Sequence, residues 1–122
     1  MTGSRQPTLA HRQSPAVAVV IPLYDQRRHV ERAIRSVLGQ SVGDFELIVV
    51  DDGSTDGSGE VVQKQRDPRL RLVRRDHVDS GGGHAARNLG IAESRADLVA
   101  FLDADDEWLP GHLATILRLA AA

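Results

Sequence analysis

The chain has 122 residues and no cysteine, and its 15 lysines and arginines are balanced by 17 aspartates and glutamates, for a formal net charge of −2. This length suits one small α/β domain, and the lack of cysteine excludes a disulfide framework, a thiolate metal site and a cysteine nucleophile. The near-neutral charge excludes a strongly basic nucleic-acid surface, and no apolar run approaches the roughly 20 residues that a membrane span requires.

The first predicted elements are a strand, a helix and a second strand. The β-branched run over 17–21 predicts a strand buried on both faces and stopped by Pro22. Apolar residues at helical spacing over 30–38 predict a helix, which Gly39 ends. A second apolar run, over 45–50, predicts the next strand.

The downstream segments continue this alternation of strands and helices. They are a helix capped by Ser54 or Thr55 that runs to about residue 66, an edge-like strand over 70–73, a small-residue helix after Gly83, a fourth strand over 98–102 and a final helix that starts at Pro110. This order predicts an α/β fold, with a Rossmann-like, mainly parallel sheet and helices on both faces. Residues 1–14 lack periodicity and are predicted to form a disordered leader before a single domain over 15–122.

Polar side chains collect where three of the predicted strands end. Tyr24 and Asp25 follow the first strand, Asp51 and Asp52 follow the second, and the acidic run 103–106 follows the fourth. Ligands bind at the carboxyl ends of the strands in an open parallel sheet, so these residues predict a ligand site. The alternative is that they are solvated loop ends and helix caps.

Two familiar phosphate-binding motifs are excluded. A Walker A loop needs Gly-Lys-Ser/Thr after a strand, but the one lysine, Lys64, lies in a predicted helix. A dinucleotide fingerprint needs Gly-x-Gly-x-x-Gly after the first strand, where this sequence has Pro-Leu-Tyr-Asp. The glycine run 81–83 precedes a helix and by itself is weak evidence for an anion site.

The segment Asp103-Ala104-Asp105 predicts a metal site. Alternate residues at a strand end point the same way, so the two carboxylates are expected to face one site. Their hard oxygen atoms suit Mg²⁺ or Mn²⁺ bound to substrate phosphates. The histidines have no metal-ligand spacing and are expected at the surface or in satisfied contacts.

These motifs stand in a recognisable order. They are Val19-Val20-Ile21-Pro22-Leu23-Tyr24-Asp25, Glu46-Leu47-Ile48-Val49-Val50-Asp51-Asp52-Gly53-Ser54-Thr55-Asp56, Ala86-Arg87-Asn88-Leu89-Gly90, Phe101-Leu102-Asp103-Ala104-Asp105-Asp106 and Trp108-Leu109-Pro110. Over roughly residues 15–119 the sequence resembles the nucleotide-sugar-binding half of family 2 glycosyltransferases, which have the GT-A fold. The resemblance implies transfer of a sugar from a nucleotide-sugar donor with inversion, and a cytoplasmic protein, at the inner membrane face as one alternative.

The resemblance also implies which residues bind the nucleotide. Pro22 and Tyr24 would contact it, with Tyr24 stacked on the base, usually uracil. Asp52 would accept a hydrogen bond from the base edge, with Asp51 beside it, and Arg87 would lie near the base or the phosphates. As alternatives, Tyr24 fills the core and Asp52 caps the following helix.

By the same resemblance, Asp103 would face the ribose and share Mg²⁺ or Mn²⁺ with Asp105, whereas Asp106 is expected to be a cap or solvated. The family's general base lies after the metal motif, so we expect it beyond the chain end and assign no catalytic residue. We therefore expect nucleotide and metal recognition rather than complete transfer from this polypeptide alone. The acceptor, a saccharide or a lipid-linked glycan, and the oligomeric state stay open.

The sequence leaves two alternative functions open. The first is a nucleotide-binding remnant that lacks the acceptor half and has no catalytic activity. The second is a receiver-type phosphoacceptor domain, since the segments 49–52 and 98–103 resemble its acidic pair and its phosphorylated aspartate. That domain also needs a lysine on a later strand, which this sequence lacks.

Overall fold

A computed structural model describes residues 14–77 and 83–122. Within these residues strands and helices alternate: β1 (Val17–Leu23), α1 (Val30–Leu38), β2 (Phe45–Asp52), α2 (Ser58–Gln63), β3 (Leu70–Arg75), α3 (His84–Glu93), β4 (Val99–Phe101) and α4 (His112–Ala121). The predicted α/β alternation is confirmed. The predicted leader, residues 1–14, lies outside the described residues except for Ser14, and it stays a prediction.

The four strands form one parallel sheet in the order β3-β2-β1-β4. Since β4 lies on the opposite side of β1 from β2, the strand order reverses between β1 and β4, and crevices for ligands form at such a point. The sheet also shows that the receiver-type alternative is wrong. In that flavodoxin-like sheet the strand that carries the acidic pair lies beside the strand that carries the phosphorylated aspartate, whereas here β1 lies between β2, which ends at Asp52, and β4, which precedes Asp103.

Hydrophobic cores cover both faces of the sheet. The larger core packs α1, α2 and α4 against one face and includes Ile21, Ile34 and Leu113, all fully buried. The smaller core packs α3 against the other face and includes Val20 and Ala86. Burial on both faces explains why β1 is continuously apolar. Each such aliphatic side chain contributes about 1.5–3 kcal/mol relative to an exposed one.

β1 continues through Pro22, so the predicted stop at this proline was wrong. The Ala18 N–H donates to Leu98 and the Val20 carbonyl oxygen accepts from Leu102, which shows that the even-numbered residues of β1 bond toward β4. The missing N–H of Pro22 would point the same way, but β4 has already ended opposite Val20. No ladder bond is therefore lost, and proline is tolerated at such an edge.

Two helices begin later than predicted. α2 begins at Ser58, beyond the expected caps Ser54 and Thr55, because the Ser54 hydroxyl instead accepts a hydrogen bond from the Asp25 backbone at 2.9 Å. α4 begins at His112 and not at Pro110. The Pro110 carbonyl oxygen instead accepts a hydrogen bond of 2.9 Å from the backbone N–H of Ser41, so it is not used within the helix. No helix in the described part of the chain is long and apolar enough to cross a membrane.

Candidate functional site

A cleft of about 220 Å³ lies at the carboxyl ends of β1, β2 and β4, beside the start of α3. It is where the reversal of strand order predicts a ligand site. Among the residues that line it are Pro22, Tyr24, Asp52, Gly83, Arg87, Asp103 and Asp105. The structure thus brings together every residue predicted to bind nucleotide or metal, except Asp51.

Asp51 and Asp52 point in different directions, as neighbouring residues of a strand must. Asp52 lines the cleft. The Asp51 carboxylate instead accepts a hydrogen bond of 3.0 Å from the backbone N–H of Ser54. It also lies so close to α2 that a Cβ atom on Gly59 would come within 2.5 Å of it. Asp51 therefore holds the turn after β2 and lies away from the cleft.

The Asp52 carboxylate is buried, with a side-chain exposure of 7%, and both of its oxygens have partners from the end of β3. Arg75 Nη1 lies 3.0 Å from Oδ1, and His77 Nδ1 lies 3.3 Å from Oδ2. α2 begins after Gly57, so the alternative role of Asp52 as its cap is not observed. A buried carboxylate with charged and polar partners is expected, because an unpaired one would be costly.

Tyr24 is 45% exposed, so the alternative that it fills the core is wrong. Its ring stacks on His77, with 4.0 Å between the ring centroids and 14° between the planes. Neither His77 nor Arg75 was predicted to belong to the site. The available signal was their position directly after the third predicted strand, whose carboxyl end meets the same edge of the sheet as the other three.

Three acidic side chains stand together after β4. Asp103, Asp105 and Asp106 are exposed, and each offers an oxygen atom within 4.8 Å of the others. A hydrogen bond of 3.0 Å from the Asp106 N–H to the Asp103 carbonyl oxygen forms the turn that brings Asp106 round. This all-oxygen set fits Mg²⁺ or Mn²⁺ and leaves room for substrate oxygens. Arg87 Nη2 lies 3.7 Å from Asp103 Oδ1.

Hydrogen bonds join the loop after Tyr24 to the loop after Asp52. Backbone N–H groups of the first loop donate to side-chain oxygens of the second loop and of the first residue of α2: Asp25 to Ser54, Arg27 to Asp56 and Gln26 to Ser58, at 2.9, 3.1 and 3.0 Å. The Ser58 hydroxyl also donates to Asp56, which holds the pKa of that carboxyl below its usual range. These bonds fix the positions of the two loops relative to each other.

Residues 18–122 match the family described as Glycosyl transferase family 2. The chain belongs to that family. Its parallel sheet is therefore the Rossmann-like part of a GT-A fold, as the motifs predicted.

Relatives and solved structures of glycosyltransferases agree with this membership. An uncharacterized glycosyltransferase of Nostoc sp. is 40% identical over 106 residues, which are 84% of this chain and 32% of the relative. Staphylococcus aureus TarS in complex with UDP is 27% identical with a TM-score of 0.78, over 86% of this chain and 32% of that one.

A third similar protein is the mannosyltransferase PcManGT from Pyrobaculum calidifontis, solved in complex with GDP-Man and Mn²⁺. It is 26% identical with a TM-score of 0.77, over 89% of this family 2 chain and 33% of the mannosyltransferase. The chain thus spans roughly a third of the length of each of these three glycosyltransferases.

Proposed function

We propose that the cleft binds a nucleotide-diphosphate-sugar, with a UDP-sugar as the first choice, and that the chain is the donor-binding part of an inverting glycosyltransferase. The observation that carries this proposal is the convergence of Tyr24, Asp52, Arg87, Asp103 and Asp105 on one cleft. An aromatic ring, a buried carboxylate, a guanidinium and an acidic group match a base, a base N–H, phosphates and a divalent ion. The UDP complex of TarS and the GDP-Man complex of PcManGT support the same class of donor.

In this proposal, Tyr24 stacks on the base and Asp52 accepts a hydrogen bond from its edge. Uracil and guanine each carry a ring N–H that can donate to a carboxylate, whereas cytosine has an acceptor nitrogen at that position. A buried carboxylate that accepts from the ring nitrogen therefore disfavours cytosine, whose one donor on that edge is the exocyclic amino group at a different position. UDP or GDP is therefore expected to bind better than CDP.

Asp103 and Asp105, together with Asp106, hold Mg²⁺ or Mn²⁺ in this proposal. The ion, when bound, neutralises negative charge on the diphosphate leaving group. Arg87 lies beside Asp103 and adds a fixed positive charge on the same side of the cleft. The divalent ion and Arg87 thus supply positive charge that complements a ligand with several anionic oxygens.

Calorimetric titration of UDP into the folded chain, with and without Mn²⁺, tests the proposal. We expect binding that Mn²⁺ strengthens, loss of that strengthening in Asp105→Asn, and normal behaviour in Asp97→Asn, which changes an exposed acid outside the cleft. Absence of UDP, GDP and CDP binding by a folded chain would contradict it. A donor-hydrolysis assay then distinguishes an active transferase from a protein that binds the nucleotide without catalysis.

A further inference from the structure

We infer that the His77 imidazole occupies the place of the nucleobase on Tyr24 and Asp52, and that donor binding displaces it. The inference rests on the proposed function, because that proposal makes Tyr24 and Asp52 the ligands of the base. It adds a residue that competes with the donor for these two side chains.

His77 makes both of the contacts that the proposal assigns to the base. Its ring is stacked on Tyr24 with 4.0 Å between centroids, a distance at which no third ring fits between them. Its Nδ1 lies 3.3 Å from Asp52 Oδ2 and 3.1 Å from the Asp52 carbonyl oxygen. Both of these partners are acceptors, so Nδ1 carries a proton in this arrangement. A flat ring with an N–H directed at Asp52 is also what uracil offers.

Rotation of the His77 side chain would move its imidazole ring off Tyr24. The backbone of His77 lies against Gly53, where a Cβ atom would come 2.6 Å from the His77 nitrogen, and Gly53 itself has a φ of 75°. This close backbone contact ties residue 77 to the end of β2. The His77 side chain is 39% exposed, so its ring can turn toward solvent. Arg75 stays 3.0 Å from the other oxygen of Asp52, which therefore keeps a cationic partner.

This competition lowers the apparent affinity of the donor. A ligand whose site is open for only a fraction of the time binds with an affinity reduced by that fraction. An aromatic pair has an interaction energy that corresponds to roughly a two- to tenfold change in an equilibrium constant. His77→Ala is therefore expected to bind UDP about two- to tenfold more tightly than the wild type.

The test is a calorimetric titration of UDP, in the presence of Mn²⁺, into the wild type, His77→Ala and His112→Ala. His112 is the matched control, because its ring also contacts an aromatic side chain, Trp108, with centroids 4.5 Å apart, but this pair lies at the start of α4 and not on Tyr24. We expect tighter binding in His77→Ala and an unchanged affinity in His112→Ala. Circular dichroism verifies that each variant is folded.

A second measurement needs no variant. In the wild type, stacking on Tyr24 shifts the NMR signals of the His77 imidazole protons through the ring current. If the base takes the place of His77, saturating UDP moves these signals back toward their values in an unstructured peptide, while those of His112 stay in place.

The outcomes separate the inference from the proposed function. UDP binding that is equal or weaker in His77→Ala, with imidazole signals that keep their shift, would overturn displacement and leave the proposed function standing. If neither the wild type nor His77→Ala binds UDP, GDP or CDP, the proposed function and the inference fail together.

Discussion

The carboxylate of Asp25 accepts a hydrogen bond of 2.8 Å from the backbone N–H of Thr55. Asp25 has a φ of 48°, in the left-handed region that aspartate and asparagine adopt more readily than other side chains. Because Asp25 follows Tyr24 directly and Thr55 belongs to the loop after Asp52, this bond helps to set the spacing between the aromatic ring and the buried carboxylate of the cleft.

Replacement of Asp25 tests this connection between the loops. Asp25→Ala removes the acceptor and places a less suitable residue at positive φ, so we expect the free energy of unfolding to fall by about 1–2 kcal/mol. Asp25→Asn keeps an acceptor oxygen and tolerates the same φ, so its loss is expected to stay below about 0.5 kcal/mol. Urea denaturation measures both. Equal losses in the two variants would show that the bond to Thr55 does not stabilise the loops.

Gly90 allows α3 to approach the sheet. A Cβ atom at this position would overlap the side chain of Val20 in β1. Since overpacking a tight contact typically costs about 1–3 kcal/mol, Gly90→Ala is expected to lower the free energy of unfolding by that amount despite the better helix propensity of alanine. Gly111→Ala is the control, because a Cβ there would meet no atom within 4 Å. The prediction is wrong if urea midpoints of the two variants coincide.

Asp67 and Arg69 give the chain a defined dependence on pH. Two hydrogen bonds from Arg69, of 3.0 Å from Nε and 2.9 Å from Nη2, lower the pKa of the Asp67 carboxyl from 3.8 to about 2. Because this pKa is lower in the folded than in the unfolded state, the ionised Asp67 carboxylate stabilises the fold above about pH 4. This stabilisation is lost as the pH falls toward 2 and the carboxylate becomes protonated.

Asp67→Asn is therefore expected to lower the free energy of unfolding by about 1–2 kcal/mol at pH 7, and this difference from the wild type should shrink steadily between pH 5 and pH 3. Asp97→Asn, at an exposed acid, serves as the control and should leave stability nearly unchanged throughout. Urea denaturation at several pH values gives the comparison. A difference that is the same at pH 7 and pH 3 would contradict the assignment to this ion pair.

The acidic group after β4 predicts a third metal ligand. Asp106 offers an oxygen atom within 4.8 Å of oxygen atoms of both Asp103 and Asp105. Removing a ligand should weaken Mn²⁺ binding by more than about tenfold, since even the outer partners of metal ligands contribute about ten- to hundredfold. Titration of Mn²⁺ alone, followed by electron paramagnetic resonance, measures this in Asp105→Asn and Asp106→Asn. Unchanged affinity in Asp106→Asn would leave only the two ligands that the sequence predicted.

The parts of the site that could be predicted are those that follow directly from strand ends. The apolar run of β1 has hydrophobic cores on both faces, and the residues after β1, β2 and β4 meet at one edge of a parallel sheet. Tyr24, Asp52 and Asp103 therefore came together as expected. The alternation of side chains along a strand likewise directs Asp51 away from Asp52.

The contribution of β3 could not be predicted in the same way. Arg75 reaches Asp52 because the two residues are directly paired between β2 and β3, and His77 follows two residues later. Register between strands depends on the packing of the whole sheet, and one sequence does not specify it over such a separation. The pairing of Arg75 and His77 with Asp52 therefore emerged only from the structure.

Among the described residues β3 also lies at one edge of the sheet, where the backbone groups that do not bond to β2 face outward. Such an edge invites strands from other molecules, and natural proteins discourage this with long charged side chains. Arg71 and Arg74 are half exposed along β3 and are held by Glu93 and Glu60, at 2.6 and 3.5 Å. These ion pairs keep charge beside the unpaired backbone. Replacing both arginines with valine would turn the edge into a template for aggregation, because a bare apolar strand would then be open to its neighbours.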